Sequence, residues 1–121
     1  MFWAPDLDNA TNKRFVADFK AKTGRYPTHY AAQSYDAIML IKSGVDAVNG
    51  DTSNQDGIRA GMLKADFPSV RGKYRYGSNH FPIQNFYLRT VKKDANGDWF
   101  VSHVSTVLSD HQDSYHGQCK L

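Results

Sequence analysis

The chain has 121 residues and a formal net charge of +3, and 40% of its residues are hydrophobic. This length suits one domain or a piece of a larger protein, and the apolar content supports a packed core and excludes a disordered chain. The charge is too small for a protein built mainly to neutralise phosphates, and no apolar run approaches the roughly 20 residues that span a membrane.

Two helices are predicted first. Residues 9–23 have an amphipathic pattern, either Asn9 or Thr11 can cap its start, and Gly24 is suited to its end. A second helix is predicted over residues 28–49. Because its apolar side chains are spread around most of its circumference, we expect this helix to be buried.

A third helix, over residues 54–65, is followed by strand patterns. A short strand is predicted at residues 73–76, and longer strands at residues 83–92 and 99–108 are joined by the turn sequence DANG at residues 94–97. Both faces of this hairpin carry apolar residues, so we expect it to pack on two sides. Helices followed by strands indicate an α/β or α+β fold.

Residues 69–88 interleave basic and aromatic side chains, a composition typical of platforms for single-stranded nucleic acid. On a strand of period two, however, Arg71, Lys73 and Arg75 share one face and the tyrosines between them share the other. A nucleic-acid platform needs rings and cations on the same exposed surface. A short strand with packed tyrosines and cations in water is therefore the favoured interpretation, and nucleic-acid binding is the alternative.

No motif for catalysis or metal binding stands out. The five histidines are scattered, with no pair at i, i+4 on a predicted helix, and the single cysteine, Cys119, lies in the C-terminal tail. Phosphate-binding Gly-rich loops and a G-x-S-x-G motif are absent from the sequence. We therefore predict a protein that is not an enzyme and that needs no metal or cofactor.

Four segments together point to a known family. The segment GRYPTHYAAQSYDAIMLI, residues 24–41, resembles the corresponding helix of ABC-transporter substrate-binding proteins of the branched-chain amino-acid type. The segments IRAGMLKADF, SVRGKYRYGSNHFPIQNFYL and RTVKKDANGDWFVSHVSTV then follow in the family's order. The resemblance implies a partial type I periplasmic binding protein fold of class α/β, in which three helices precede a β-hairpin and strands.

The resemblance covers nearly the whole chain but only the C-terminal third or so of such a protein, so the chain is expected to be a fragment. It implies that residues 1–82 belong to the first lobe and that residues 83–121 cross the hinge, add strands to the second lobe and end in a tail. The start MFWAPDLDNA lacks the pattern of a signal peptide. The periplasmic location that the family resemblance implies is therefore that of the parent protein.

The function that the resemblance implies is capture of a small molecule by closure of two lobes, followed by recognition by an ABC permease in the membrane. The expected ligand is a hydrophobic amino acid or a related small carboxylate or amide. Because the family places the start of the second helix near the ligand, the candidate ligand-binding residues are His29, Ala32, Gln33 and Tyr35. Tyr35 also lies on the apolar stripe and could equally belong to the core.

An isolated fragment is expected to bind ligand weakly or not at all, since most of the pocket would be missing. It is also expected to self-associate through apolar faces that lack their partners. This interpretation predicts no nucleic-acid partner. The alternative function is a small basic-aromatic nucleic-acid-binding domain that uses the hairpin of residues 69–88.

Overall fold

The computed structural model describes residues 1–119 and consists of three helices followed by a three-stranded antiparallel sheet with the order β1-β2-β3. The helices are α1 (Ala10–Thr23), α2 (His29–Ala47) and α3 (Gln55–Leu63), and the strands are β1 (Arg75–Tyr76), β2 (Pro82–Lys93) and β3 (Trp99–His111). This order confirms the predicted fold class. No helix within residues 1–119 is long and apolar enough to cross a membrane.

The first two helices begin and end close to the predicted residues because their caps are encoded locally. The Asn9 side chain accepts a hydrogen bond from the Asn12 N–H at 2.8 Å, and Gly24 closes α1 with a φ of 71°. The Thr28 hydroxyl accepts a hydrogen bond from the Ala31 N–H at the start of α2. Of the two predicted caps of α1, the structure therefore selects Asn9.

The strands depart from their predicted bounds in both directions. β1 has only two residues, because the chain turns at Gly72, where φ is 86°, and meets β2 only at Arg75. β3 extends to His111, which lies opposite Gln84 of β2. Three shifts of register interrupt the β2–β3 ladder between Gln84 and Arg89.

The expectations of a buried second helix and of a hairpin packed on two sides are wrong for this chain. In α2, Ile38 is 66% exposed and Ile41 is 51% exposed. The hairpin also leaves a set of apolar side chains in solvent, namely Leu88, Val91, Trp99, Val104, Val107 and Leu108. Among residues 1–119, no element lies over these faces, so an apolar sequence pattern does not lead to burial.

The core forms around the segment that precedes α1. Trp3 and Ala4 are almost fully buried, and the Trp3 indole N–H donates to Asn12 Oδ1 at 2.7 Å. The Asn12 amide in turn donates to the backbone carbonyls of Ala4, Pro5 and Leu7 at 3.0–3.2 Å. Because a buried amide is costly unless it is bonded, this network fixes the path of the first residues against α1.

The tip of the β2–β3 hairpin is clamped to α1 by charged groups. Lys20 Nζ lies 2.8 Å from a carboxylate oxygen of both Asp94 and Asp98, and the Tyr26 hydroxyl donates to Asp94 at 2.8 Å. The Tyr26 ring also stacks on Phe100 with a centroid distance of 4.9 Å. The hydrogen bond between Asp94 and Lys20 lowers the pKa of Asp94 well below its usual range and raises that of Lys20.

This clamp should make stability depend on pH through Asp94. Because the pKa of Asp94 falls on folding from its ordinary value of 3.8, its stabilisation is complete above that pH and is lost as pH falls through the folded-state pKa. Lys20 works in the opposite sense, so its contribution is present below its ordinary pKa of 10.5 and is lost at higher pH.

We expect Asp94→Asn to lower the urea midpoint at neutral pH and to differ much less from the parent chain near about pH 2, where Asp94 of the unfolded parent chain is already protonated. The matched control is Asp18→Asn, which removes an exposed carboxylate on the same helix as Lys20 and should change little. If the difference in urea midpoint between Asp94→Asn and the parent chain stayed constant with pH, the ionised Asp94 would not be the stabilising group.

Candidate ligand-binding site

A cavity of about 370 Å³ opens between the start of α2, the start of β2 and the end of β3. Its walls combine aromatic rings and polar side chains, namely Phe2, Gln33, Arg71, Phe81, Gln84, Phe86, His111 and Asp113. The Phe86 and His111 rings meet edge to face at 5.5 Å. A cavity of this size and composition suits a small organic molecule with an apolar body and a polar group.

Arg71 is fixed in this cavity by Asp36, a residue of α2 that is 1% exposed. The Asp36 carboxylate accepts hydrogen bonds from Ser69 Oγ at 2.6 Å, from the Val70 N–H at 3.0 Å and from Arg71 Nε at 2.8 Å. One terminal nitrogen of Arg71 donates to Gln84 Oε1 at 2.9 Å. A buried carboxylate with three donors is fully compensated, and it holds the guanidinium in one orientation.

Two aromatic rings flank the Arg71 guanidinium. Its central carbon lies 4.3 Å from the centre of the Tyr74 ring and 5.2 Å from that of Phe2. Cation–π contact of this kind stabilises a guanidinium that has been partly removed from water. Burial raises the pKa of the Tyr74 hydroxyl above its ordinary value of 10.0.

The basic-aromatic stretch therefore differs from its predicted strand geometry at one residue. Lys73 and Arg75 are exposed and Tyr74 and Tyr76 are half-buried, as expected, but the Arg71 side chain is only 11% exposed. The expectation that Arg71 lies in water is wrong, because the turn after it folds its side chain back to Asp36. The tyrosines pack edge to face on each other at 5.7 Å and do not form an exposed platform.

Another part of the cavity wall is built by the turn between β1 and β2 and by the residue pair that holds it. The Asn79 amide, which is largely buried, donates to Asp113 Oδ2 at 2.7 Å. Asn79 Oδ1 accepts a hydrogen bond from the Phe81 N–H at 3.2 Å. These bonds attach the turn of residues 77–81 to the chain just after β3, and they place Phe81 and Asp113 in the cavity wall.

The four residues predicted from the start of α2 lie in different surroundings. Gln33 lines the cavity that contains Arg71. Ala32 is buried in the core, and Tyr35 packs on Phe15 at 5.1 Å beside a separate cavity along α1. His29 lines a third cavity that faces β3. Of the four, the structure brings only Gln33 to this cavity, and the ligand-binding roles of all four stay predictions.

The sequence analysis missed the groups that make this cavity polar. Asp36 lies four residues after Ala32 on the buried side of α2, and an acid at such a position needs donors or a cation when it is buried. From this requirement, a basic partner for Asp36 such as Arg71 could have been predicted. No group of three or more His, Cys, Asp or Glu residues within 1–119 is arranged to hold a metal ion.

Comparison with known proteins finds one matching family and three similar solved structures. A family model described as periplasmic binding protein matches residues 1–97. The chain is 36% identical, with a TM-score of 0.85, to an ABC-transporter solute-binding protein from R. palustris solved with benzoate, and the match covers 100% of this chain and 32% of that one. No curated protein matches the chain.

A solute-binding protein of an ABC transporter from Rhodopseudomonas palustris BisB5, solved with 3,4-dihydroxybenzoic acid, is 25% identical with a TM-score of 0.79, over 98% of this chain and 31% of that one. An ABC-transporter substrate-binding protein from Sphaerobacter thermophilus is 19% identical with a TM-score of 0.77, and the match covers 89% of this chain and 29% of that one. At this identity the similarity shows only a shared fold. The chain spans about a third of the length of these structures.

Removing the Asp36 charge should destabilise the fold far more than removing an exposed charge from the same helix. We expect Asp36→Asn to lower the free energy of unfolding by about 3 kcal/mol, because Arg71 would keep a buried charge without its counterion. The control Asp46→Asn breaks an exposed pair with Lys42 and should cost about 0.5 kcal/mol or less. Equal losses in urea denaturation would contradict the central role of Asp36.

Proposed function

Because the chain belongs to the periplasmic binding protein family, as part of an ABC-transporter solute-binding protein of type I fold, we propose that it forms one part of a two-lobed protein that captures a small carboxylate. Closure of the lobes on the ligand would present it to an ABC permease in the membrane. We place the parent protein in the periplasm. Its role is binding, and we propose no catalysed reaction.

The arrangement of the lobes is part of the same proposal. Residues 1–82 would lie in one lobe, and residues 83–121 would cross the hinge near the start of β2 and continue into the other lobe. The cavity lies beside this crossing, since Gln84 and Phe86 of β2 form part of its wall. A ligand held there would contact both lobes, as closure requires.

The observation that carries the proposal is the fixed guanidinium of Arg71 within a ring-lined cavity. Guanidinium groups bind carboxylates through charge-assisted hydrogen bonds, and an orientation set in advance reduces the entropy lost on binding. Phe2, Phe81 and Phe86 offer flat apolar surface to the body of the ligand. Together these groups suit a carboxylate attached to an apolar group.

Among the ligands that the family resemblance implies, a hydrophobic amino acid or a related small carboxylate or amide, an aromatic carboxylate fits this cavity best. Four rings, including that of His111, line the cavity, and aromatic rings pack favourably edge to face or offset-stacked. Two similar proteins were solved with benzoate and with 3,4-dihydroxybenzoic acid. Nucleic-acid binding through residues 69–88 has no comparable support, because the tyrosines of that stretch pack against protein.

Benzoate should bind the chain more tightly than L-leucine in titrations followed by amide chemical shifts. We expect a dissociation constant on the order of 1–10 mM for benzoate, weak because part of the pocket lies outside this chain, and about tenfold weaker binding of leucine. Benzamide has the same ring without the charge and serves as the control ligand, which should also bind more weakly than benzoate.

Tighter binding of leucine than of benzoate would instead support the hydrophobic amino acid. Equal binding of benzamide and benzoate would remove Arg71 as the carboxylate anchor. If none of the three ligands produced saturable shifts around the cavity, the proposed site would be wrong.

The exposed apolar faces should cause self-association of the 121-residue chain. Val91 and Val107 of the hairpin are 63% and 61% exposed, and such surface tends to pair with itself when no other element covers it. We expect the apparent mass in light scattering to rise with concentration and to fall on Val107→Lys. A chain that stays monomeric at all concentrations would count against its being part of a larger lobe.

A further inference from the structure

The cavity contains a second charged group whose role the proposed function leaves open. Asp113 lies just after β3, and its Oδ2 accepts the hydrogen bond from Asn79. Its Oδ1 has no hydrogen-bond partner among residues 1–119, and no cation of that part of the chain pairs with it. An ionised carboxylate can only accept hydrogen bonds, so this oxygen is available for a donor on a ligand.

The two charged groups impose an orientation on a bound carboxylate. The charge of Arg71 is balanced by Asp36, whereas Asp113 has no paired cation within residues 1–119 and presents its negative charge in the same cavity. A ligand carboxylate would therefore approach the guanidinium and avoid Asp113, since like charges repel strongly where water is partly excluded.

Arg71 and Asp113 are held in the cavity by different elements. Arg71 is bonded to α2 and to Gln84, while Asp113 is bonded to the turn of residues 77–81. An α-amino acid carries its ammonium directly beside its carboxylate, so it suits a site where the two protein groups meet at one point. A hydroxyl at position 3 or 4 of a benzoate ring, by contrast, lies away from the carboxylate and can reach a group held by a different element.

We propose that Asp113 makes this cavity selective for aromatic acids that carry a ring hydroxyl, with the carboxylate at Arg71 and the phenol donating to Asp113. The inference rests on the proposed function, because it needs an aromatic carboxylate in the cavity. A phenol that donates to a carboxylate forms a short, charge-assisted hydrogen bond. The rings of the cavity wall hold the aromatic body between these two contacts.

The test compares the dissociation constants of benzoate, 3-hydroxybenzoate and 4-hydroxybenzoate by amide chemical shifts. At least one hydroxybenzoate should bind about tenfold more tightly than benzoate to the parent chain. In Asp113→Asn this preference should disappear, while the amide oxygen can still accept the bond from Asn79. In the control Asp110→Asn, which alters an exposed residue paired with Arg75 outside the cavity, the preference should persist.

The outcomes separate this inference from the proposed function. Binding of benzoate without a hydroxyl preference, or a preference that survives Asp113→Asn in a chain with an unchanged urea midpoint, would overturn the inference alone. A loss of L-phenylalanine binding in Asp113→Asn would show that Asp113 binds an ammonium, and would also overturn it. Failure of every aromatic acid to bind the parent chain would overturn both.

Discussion

The buried Asp36 carboxylate is the constraint on which the arrangement of this chain depends. A carboxylate that is 1% exposed has to be surrounded by donors, and the donors come from a loop more than thirty residues further along the chain. The hydrogen bonds to this carboxylate hold Ser69, Val70 and Arg71 against α2. Arg71 then reaches Gln84 and fixes where β2 begins. One charge thus links the helical part of the chain to the sheet and supplies the cavity with its cation.

Local sequence was enough for the elements whose signals are local. Caps at Asn9 and Thr28 and the turn at Gly97, with a φ of 87°, follow from single residues, and the predicted α1, α2 and hairpin lie close to those observed. The cavity could not be predicted in this way. Its walls join Phe2, Gln33 and Phe86, which no spacing in the sequence connects. The two-residue alternation of a strand gave the wrong position for the Arg71 side chain, because it was extended back across Gly72, where the chain turns.

The apolar pattern predicted which faces of the helices and strands are hydrophobic, but not which of these faces are buried. The buried residues cluster where connecting segments meet the helices, at Trp3, Ala4 and Leu7 before α1 and at Val70 after α3. These segments lie between the helices and the sheet. Ile41 and Val91 stay in solvent although their sequence context is that of a core. A chain that represents part of a larger fold is expected to show this contrast between a small completed core and unpaired apolar faces.

The hairpin is attached to the helical part of the chain at its tip and at its base. Its tip is held to α1 through Lys20 and Asp94, and its base is held to α2 through Arg71 and Gln84. Between these anchors the Tyr87 N–H donates to the Met1 carbonyl and Arg89 donates to the Trp3 carbonyl, so the first residues of the chain also hold β2. The three register shifts lie in that interval, between Gln84 and Arg89, where the ladder is interrupted. Because Gln84 and Phe86 lie both in this interrupted interval and in the cavity wall, the irregular part of β2 is part of the binding site itself.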